Sequence, residues 1–513
     1  MKPTKLLLGI LTFFFTTLLC SAQKGIPFSK DFDITVGAPY KVIDASEKQY
    51  FNFGDSLLVA VKYSRGHISV QRFDTEKVTQ LSVASKDLGE AKFQEIVKTK
   101  NFLHVFSVDY DRKAQTALLK VNSIDVKTGE ISGSKRLLKS ESEIESYNYR
   151  FYFFKLSENQ EKLLIHYKCR RKDKEDMNYR VGVLAFSEDL NFLWGGEHVV
   201  GSRAKESYYT NLGNFILNDG TIVLFNVNNQ LEFFKVKEGG SVEQVSVPGH
   251  LFKDVDQLQI AEEKPGEFLF VGAKTNEKGS YNYTHAFVIM RIGVDGKPRG
   301  VRNITIPKKL VEAFESEREK KRSKKREEKG LGGIVFLSLK DFTMHDDGSV
   351  TIVAEQRHSV TTCNGKGSCT TTYYFNDVVV LKVGADDQML WATKLPKNQS
   401  SRSYEGGAGI YYAFADGQHY IYHLDNLKNT QISSNQAPKN YVDGKAGLMT
   451  VWKVGDQDGK ITRDFLFNTA NVGGTKIKLY QLRTYRMINI GGALFMEAYV
   501  KKKQDRMIRI TRK

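Results

Sequence analysis

The chain of 513 residues carries 76 Lys and Arg against 59 Asp and Glu, a formal net charge of +17, with 12% aromatic residues and only 9 Pro. This composition excludes an intrinsically disordered chain and favours a folded protein rich in strands. Length alone suggests about three domains of ordinary size, but a repeat fold escapes that expectation.

The first 22 residues have the order of features that is typical of a secretory signal peptide. A basic start precedes an apolar run over 6–19, and small residues end the segment at Ala22. The alternative is a lipoprotein signal with Cys20 as the lipidated residue, which the large Leu19 before it disfavours. Removing residues 1–22 takes away two Lys and no acid, which leaves a charge of +15. No later stretch reaches the roughly 20 apolar residues of a membrane span, so we expect a mature chain without a transmembrane segment.

One pattern recurs along the rest of the chain and is clearest over 151–200. There, four short apolar runs are separated by a tight turn, a charged loop and a second tight turn. Four antiparallel strands joined in this way form one blade of a β-propeller. Units of this pattern occupy 50–84, 93–138, 151–200, 211–247, 256–306, 336–396 and 409–467, with a last unit from 479 onwards.

The last unit offers only three strands. We expect residues 34–43 to supply the fourth, which would pair the two ends of the chain and leave no open sheet edge. The sequence therefore predicts an all-β fold: a single β-propeller over 23–513, built of four-stranded antiparallel blades. Eight blades are favoured and seven are the alternative. Unrelated antiparallel sheets, or two smaller propellers, would explain the regular pattern less simply.

A charged segment at 307–330 separates the fifth and sixth units. Pro307 and Gly330 bound it, as helix ends prefer, and its Glu and Lys residues recur three and four positions apart. This spacing predicts one charged, solvated helix inserted between two blades. Contact with an anionic partner is the alternative for its basic run, although the interleaved Glu residues weaken it. Nucleic acid suits an exported protein poorly.

Topology divides the loops of such a propeller between two faces. The tight Asp-Gly turns join strands one to two and three to four on one face, whereas the longest loops lie on the other. Because function concentrates on variable loops held by a rigid scaffold, we expect one plain and one elaborated face. Several residues of the long loops are cationic or aromatic. Cations attract anions and aromatic rings stack on sugars, although the ordinary composition of loops also explains each of these residues. The candidate ligand-binding residues are Arg170, Arg171, Lys172, Tyr281, Tyr283, Arg357, Tyr373 and Tyr374.

Three cysteines remain after the predicted signal peptide. Cys363 and Cys369 bracket a flexible Gly-rich turn, which favours a local disulfide in an exported protein, with two free thiols as the alternative. Two cysteines alone do not form a zinc site. Cys169 is left over in a charged loop and is expected to be a spare thiol.

Catalytic signals are weak in this sequence. The zinc-protease, serine-nucleophile and phosphate-loop motifs are absent from it. His419 and His423 fall on a predicted strand, about 13 Å apart, which is too far to share a metal. The segment from Asp456 to Gly459 is similar to part of a calcium loop, but a hairpin turn explains it better. We therefore predict no catalytic residue, no metal ligand and no cofactor.

Residues 376–383 and 389–397, with Ser-Ala-Gln at the end of the signal, resemble a type of secreted, propeller-like protein common in Bacteroidota. The resemblance covers the blade pattern and no catalytic motif, and it implies export. The C-terminus, 506–513, does not resemble a surface-sorting domain, which favours the periplasm or the outer membrane over the extracellular space.

The function expected from these observations is that of a non-enzymatic binding or scaffold protein, with an envelope protein or an anionic glycan as partner. Two alternatives stay open. One is a hydrolase or lyase that acts on glycans or phosphoesters with residues drawn from several blades. The other is a structural subunit of an envelope assembly.

Overall fold

The computed structural model describes residues 26–111, 113–114, 116–141, 152–169, 178–202, 210–228, 230–275, 283–365, 367–404, 406–433, 436–472, 481–501 and 503–513. Within these ranges the backbone forms eight antiparallel sheets, which are the eight blades of a β-propeller. The predicted signal peptide lies outside the described ranges and stays a prediction. Neither α-helix in these ranges is long and apolar enough to cross a membrane.

The first half of the chain supplies an N-terminal strand pair and four blades. The N-terminal strands are β1 (Phe32–Val36) and β2 (Tyr40–Lys41). Blade 1 holds β3 (Glu47–Phe53), β4 (Leu57–Ser64), β5 (His67–Asp74) and β6 (Thr79–Asp87); blade 2 holds β7 (Lys92–Lys98), β8 (Phe102–Asp111), β9 (Thr116–Asp125) and β10 (Lys135–Glu141). Blade 3 holds β11 (Tyr152–Leu156), β12 (Lys162–Lys168), β13 (Asn178–Ser187) and β14 (Phe192–Ser202); blade 4 holds β15 (Thr210–Ile216), β16 (Ile222–Asn228), β17 (Gln230–Val236) and β18 (Val242–Ser246).

The second half supplies four more blades and two helices. Blade 5 holds β19 (Val255–Lys264), β20 (Glu267–Thr275), β21 (Tyr283–Gly293) and β22 (Pro298–Thr305), and is followed by α1 (Lys308–Val311), α2 (Glu317–Glu327) and β23 (Ile334–Val335). Blade 6 holds β24 (Leu337–Met344), β25 (Val350–Cys363), β26 (Cys369–Val383) and β27 (Met389–Leu395), with β28 (Gln399–Ser401) added. Blade 7 holds β29 (Tyr411–Ala415), β30 (Gln418–Asp425), β32 (Leu448–Gly455) and β33 (Ile461–Asn468); β31 (Tyr441–Val442) pairs with β28. Blade 8 holds β34 (Gln481–Leu482), β35 (Ile488–Ile490), β36 (Ala493–Lys501) and β37 (Gln504–Arg512), and short 3₁₀ turns lie at Gly249–Phe252, Leu427–Gln431 and Thr484–Arg486.

Eight apolar clusters lie between successive blades and together close a ring. The cluster between blades 8 and 1 joins Leu58 and Phe73 to Phe495 and Met507. An inner strand such as β4 packs against blades on both sides, and six of its eight residues in a row are buried. The outer strand β6 alternates between half-buried and exposed positions instead. These two patterns explain why inner strands are continuous apolar runs and outer strands are mixed.

The ring is closed by the two ends of the chain. β1 pairs antiparallel with β37, from Phe32 opposite Arg512 to Val36 opposite Ile508, and β2 continues the contact at Tyr40, opposite Asp505. The predicted all-β propeller is thereby confirmed, including eight sheets and an N-terminal strand that completes the last one.

The charged insertion differs in detail from its prediction, because it forms two helices and not one. Between them, Phe314 has a φ of +64°, which a helix does not contain. A capping box then starts α2: the Ser316 hydroxyl accepts from the Glu319 amide, and the Glu319 carboxylate accepts from the Ser316 amide. This Ser-x-x-Glu signal is visible in the sequence and marks a new helix start.

Candidate functional site

The β25–β26 hairpin is the longest of the described chain and carries a pocket at the base of its free part. Its two strands have 14 and 15 residues, and a disulfide joins Cys363 to Cys369 at its tip. A register shift after Glu355 separates the part inside blade 6 from the part beyond it. We call the space beside this hairpin the aromatic pocket. It has a volume of about 330 Å³ and is lined by Gln257, Phe336, Ser338, Arg357, His358, Ser359, Tyr373, Tyr374, Phe375 and Tyr404.

Three flat rings are layered on one side of the hairpin. His358 and Tyr374 are cross-strand partners, and their rings stack with centroids 4.8 Å apart. The ring of Phe336 stacks on His358 at 5.1 Å. Burial lowers the pKa of His358 below its ordinary value, so its imidazole is neutral at pH 7. Phe336 remains 40% exposed, which leaves part of its ring available to a ligand.

A second group of rings surrounds Arg357. The Arg357 guanidinium lies 4.9 Å from the ring centre of Phe375 and 5.8 Å from that of Tyr404, and its Nη1 donates to the Tyr404 hydroxyl at 3.3 Å. Tyr373 meets Tyr404 edge to face at 5.7 Å. Tyr404 is 59% exposed, so it forms the outer wall of the pocket.

The Arg357 guanidinium forms an ion pair with the buried carboxylate of Glu355. Its Nε donates to Glu355 Oε2 at 2.5 Å, and Lys397 Nζ lies 2.9 Å from Glu355 Oε1. Burial acts to raise the pKa of Glu355, but Lys397 and Arg357 outweigh it and hold the pKa below its ordinary value. Lys397 also donates to the Phe375 carbonyl and to Gln399. This buried network orients Arg357 between its rings, and its two cations share the single carboxylate of Glu355.

The structure brings three of the predicted binding residues together, places a fourth elsewhere and does not describe the other four. Arg357, Tyr373 and Tyr374 are brought together in the aromatic pocket. Tyr283 lies elsewhere, under the guanidinium of Arg326 in α2, and helps to seat that helix. Arg170, Arg171, Lys172 and Tyr281 fall outside the described residues and stay predictions. Cys169 is buried in the core between blades 2 and 3.

Sequence reasoning misses Phe336 and Tyr404, the two most exposed rings of the aromatic pocket. Phe336 precedes blade 6 and has a φ of +53°, a backbone conformation that no local pattern announces. Tyr404 follows a serine-rich stretch after the blade. The only available signal is that both flank the long hairpin loop in the chain.

A second polar cluster lies between blades 6 and 7, at the tight-turn ends of their strands. Ligand atoms of His345, His419 and Asp456 lie within 4.8 Å of one another, but the Lys382 ammonium donates to both Asp456 oxygens, at 2.8 and 2.7 Å. His419 bonds Asp456 at 3.0 Å and Tyr412 at 3.0 Å, and burial lowers its pKa to about 4. Because a cation already neutralises Asp456, this cluster suits a structural cross-link better than a metal centre.

A third cluster holds two carboxylates at the seam between blades 8 and 1. Glu497 accepts from Tyr40, Tyr50 and Lys62, at 2.9, 2.8 and 2.5 Å, and Asp505 lies 3.9 Å from the Lys62 ammonium. Both acids are almost fully buried. Both are therefore enclosed in the seam and are not placed to meet a substrate.

The chain was compared with known proteins. No protein-family model matches it, and no curated protein matches its sequence. Among solved structures, the Dos1 propeller is 11% identical over 93% of this chain and 94% of its own, with a TM-score of 0.40. The N-terminal domain of Nup159 is 10% identical over 94% and 97%, with a TM-score of 0.30. A protein of unknown function from Bacteroides caccae is 10% identical over 68% and 91%, with a TM-score of 0.26. Similarity this low carries no functional conclusion, and the propeller fold rests on the eight sheets and their closed ring.

Proposed function

We propose that this protein is an exported, non-enzymatic propeller that binds a carbohydrate chain at the aromatic pocket of blade 6, as a binding or scaffold protein of the cell envelope. One observation carries the proposal: the exposed rings of Phe336 and Tyr404 border a pocket in which Arg357 is the one charged group among the described lining residues, and Arg357 is ion-paired with Glu355. Flat rings beside hydrogen-bonding groups suit sugars, which present apolar C–H faces and polar edges.

The lining supplies the polar groups that such a ligand needs. Ser338, Ser359 and the hydroxyl groups of the tyrosines can donate to and accept from sugar hydroxyls. The volume of about 330 Å³ is near the lower end of ligand sites, which run from about 300 to 1,000 Å³. We therefore infer that the pocket holds a short segment of a longer chain.

The same geometry favours binding over hydrolysis. None of the described lining residues is a carboxylate, whereas glycoside hydrolysis ordinarily uses two. The nearest acid of the network, Glu355, is fully buried and paired with Lys397 and Arg357. A lowered pKa keeps it ionised, so it is a poor general acid.

Export is the second part of the proposal. It is supported by the signal-like residues 1–22, by the disulfide between Cys363 and Cys369, which suits an oxidising compartment, and by the resemblance to secreted Bacteroidota proteins. A periplasmic or outer-membrane-associated position follows from the same features. Mass spectrometry of the chain recovered from envelope fractions, with an N-terminus at Gln23, would support it; an intact Met1 in the cytoplasm would contradict it.

Binding of residues 23–513 to an array of neutral and acidic glycans tests the pocket. We expect Tyr404→Ala to weaken binding at least about tenfold, because a lost stacking ring removes on the order of 1.4 kcal/mol or more. Phe192→Ala is the matched control, since Phe192 is 58% exposed on an outer strand of blade 3. Equal losses in both variants would contradict the assignment, and release of shortened glycans would favour the hydrolase alternative.

A further inference from the structure

The charges of α2 are not evenly mixed on its surface. Four cations on one side of the helix, all exposed, line a shallow depression together with one acid, Glu317; the cations are Arg318, Lys321, Arg322 and Lys325. Their spacing of three, four and seven residues places them in one line along the helix. We call this set the basic stripe.

Three of the acids that interrupt the basic run in the sequence have partners other than the stripe cations. The Glu319 carboxylate accepts from Ser316 in the cap, Glu317 pairs with Lys320 at 2.9 Å, and Glu327 pairs with Lys308 at 2.7 Å. The nearby charge of Lys321 contributes to the lowered pKa of Glu317, and that of Arg322 contributes to the lowered pKa of Glu319. Within the described ranges, however, the four stripe cations have no acidic oxygen within 4.0 Å. Of these three acids, only Glu317 borders the depression, and it is paired with Lys320, so the stripe keeps a net positive charge.

The helix holds the stripe in a fixed orientation. Its opposite side buries Ser323, whose hydroxyl donates to Glu315 at 2.8 Å, and it places Arg326 over the Tyr283 ring of blade 5. Lys394 of blade 6 donates to the Ala313 carbonyl at 2.8 Å. Because both neighbouring blades anchor the insertion, the stripe is a preorganised row of charges and not a loose tail.

The stripe and the aromatic pocket belong to the same face of the propeller. The insertion is a blade-to-blade connection and the β25–β26 hairpin joins the second and third strands of blade 6, and such connections share one face. α2 ends at Glu327, and Phe336 of the pocket follows nine residues later. Nine residues span at most about 30 Å. A linear polymer of moderate length can therefore contact both.

We propose that the basic stripe is a second contact surface for the ligand of the aromatic pocket, and that this ligand is an anionic polysaccharide. Its sugar rings occupy the pocket, and its carboxylate or sulfate groups lie along the stripe. The inference rests on the proposed function, because the pocket supplies the contacts to the sugar rings and the stripe supplies further contacts to the negative charge. Two linked contacts on one polymer raise its affinity above that of either contact alone.

A membrane surface fits the stripe less well. α2 reads Glu-Arg-Glu-Lys-Lys-Arg-Ser-Lys-Lys-Arg-Glu and contains no apolar residue. Helices that lie on bilayers bury an apolar face below the headgroups, and this helix has none. Charge complementarity alone thus favours a soluble polyanion.

Binding of polygalacturonate to residues 23–513, compared with its fully methyl-esterified form, separates the two surfaces. The esterified polymer keeps the sugar ring and loses the charge. We expect the triple variant R318Q/R322Q/K325Q to weaken polygalacturonate binding at least tenfold at low salt, to flatten its salt dependence and to leave the esterified polymer unaffected. Gln keeps a high helix propensity, and circular dichroism checks the fold.

The matched control removes three exposed cations from tight turns on the opposite face: Lys237→Gln, Lys297→Gln and Lys460→Gln. It changes the net charge equally and should leave binding unchanged. Equal losses in the stripe variant and this control would overturn the stripe as a site, as would stripe-independent binding of both polymers. In the second case Tyr404→Ala would still abolish binding, so the pocket would stand.

Dextran sulfate and vesicles of phosphatidylglycerol in phosphatidylcholine complete the experiment. Stripe-dependent binding of dextran sulfate in place of polygalacturonate would support the proposal with sulfate as the anionic group. Stripe-dependent binding of the vesicles without binding of either polyanion would overturn it in favour of a membrane. If the stripe variant loses binding while Tyr404→Ala does not, the pocket assignment fails and the stripe remains an anion site.

Discussion

At the scale of single residues, the aromatic pocket depends on a strained backbone position. Phe336 has a φ of +53°, a conformation that is unfavourable by about 1–2 kcal/mol for a residue with a side chain. Its carbonyl accepts from the Arg357 amide at 2.7 Å, and its ring stacks on His358. The ring is 40% exposed, so its partial burial and its stacking on His358 offset this strain without enclosing the ring. Strain retained at an exposed ring is consistent with a role in binding.

Replacement of this residue separates stability from binding. We expect Phe336→Gly to change the free energy of unfolding by less than about 1–2 kcal/mol, because relief of the positive φ offsets part of the packing lost with the ring, and to lose glycan binding. Phe336→Tyr keeps the ring and should retain both properties. Urea denaturation and glycan titration measure them. A clear fall in stability for Phe336→Gly would mean that the ring serves packing and not a ligand.

The buried Lys382–Asp456 pair makes a second prediction at this scale. We expect Lys382→Met to destabilise the protein by about 3 kcal/mol, because Asp456 would stay buried beside His419 and His345 without the Lys382 ammonium. The double variant Lys382→Met/Asp456→Asn should recover most of that loss. Unfolding by urea measures both. A single variant as stable as the wild type would show that Lys382 is not what neutralises this carboxylate.

At the scale of elements, the β25–β26 hairpin extends from blade 6. Its base is part of the sheet of that blade, and a disulfide joins its two strands at the tip. Pairs from Arg357 opposite Phe375 to Cys363 opposite Cys369 continue the ladder beyond blade 6. Most side chains near the tip are exposed, so tertiary packing stabilises that part little. The covalent bond replaces the missing packing and keeps the ring-bearing strands in register.

Removal of this disulfide should loosen the hairpin and not the propeller. For Cys363→Ser/Cys369→Ser we expect faster amide exchange over 357–375, binding weakened several-fold, and nearly unchanged global unfolding, because the closed loop is small. Hydrogen exchange and thermal denaturation give these readouts. A large drop in the midpoint of global unfolding would contradict a local role.

At the scale of the whole molecule, two features meet where the ring closes between blades 8 and 1. The two ends of the chain pair as strands there, and the seam contains buried charged groups. Burial and the Glu497 carboxylate raise the pKa of Asp505. For Glu497, burial acts to raise the pKa, but Lys62 and Lys48 outweigh it and leave the pKa low. Two acids share these two lysines, so only one of them is well stabilised as an anion.

The sign of the pH effect at the seam follows from these shifts. The raised pKa means that folded Asp505 holds a proton that the unfolded chain has released, so its contribution to stability falls as pH rises from about 3.8 through the raised value. We expect Asp505→Asn to increase stability at pH 7 by on the order of 1 kcal/mol. The increase should vanish near pH 4, where the wild-type carboxyl is protonated. Urea denaturation at both pH values measures it, and a loss of stability at pH 7 would contradict the shift.

Features that are encoded by neighbouring residues could be predicted from the sequence, whereas features that depend on the packing of distant segments could not. Each blade contains its own turns and strands, so the limits of all eight could be predicted, and the missing fourth strand of the last blade pointed to the N-terminus. The start of the second helix is locally encoded at Ser316 and Glu319, a signal that charge spacing alone does not reveal. The aromatic pocket could be predicted only in part. Phe336, Arg357 and Tyr404 come from three segments and meet only through the packing of blade 6.

Hydrogen exchange of residues 23–513, with and without polygalacturonate, would test the proposed ligand face most directly, because it assumes no particular residue. We expect protection of the β25–β26 hairpin over 357–375, of the segment around Phe336 and of α2, and none in outer strands such as β6 and β14. Protection of the tight-turn face, or of the outer strands alone, would contradict a ligand site on this face of the propeller.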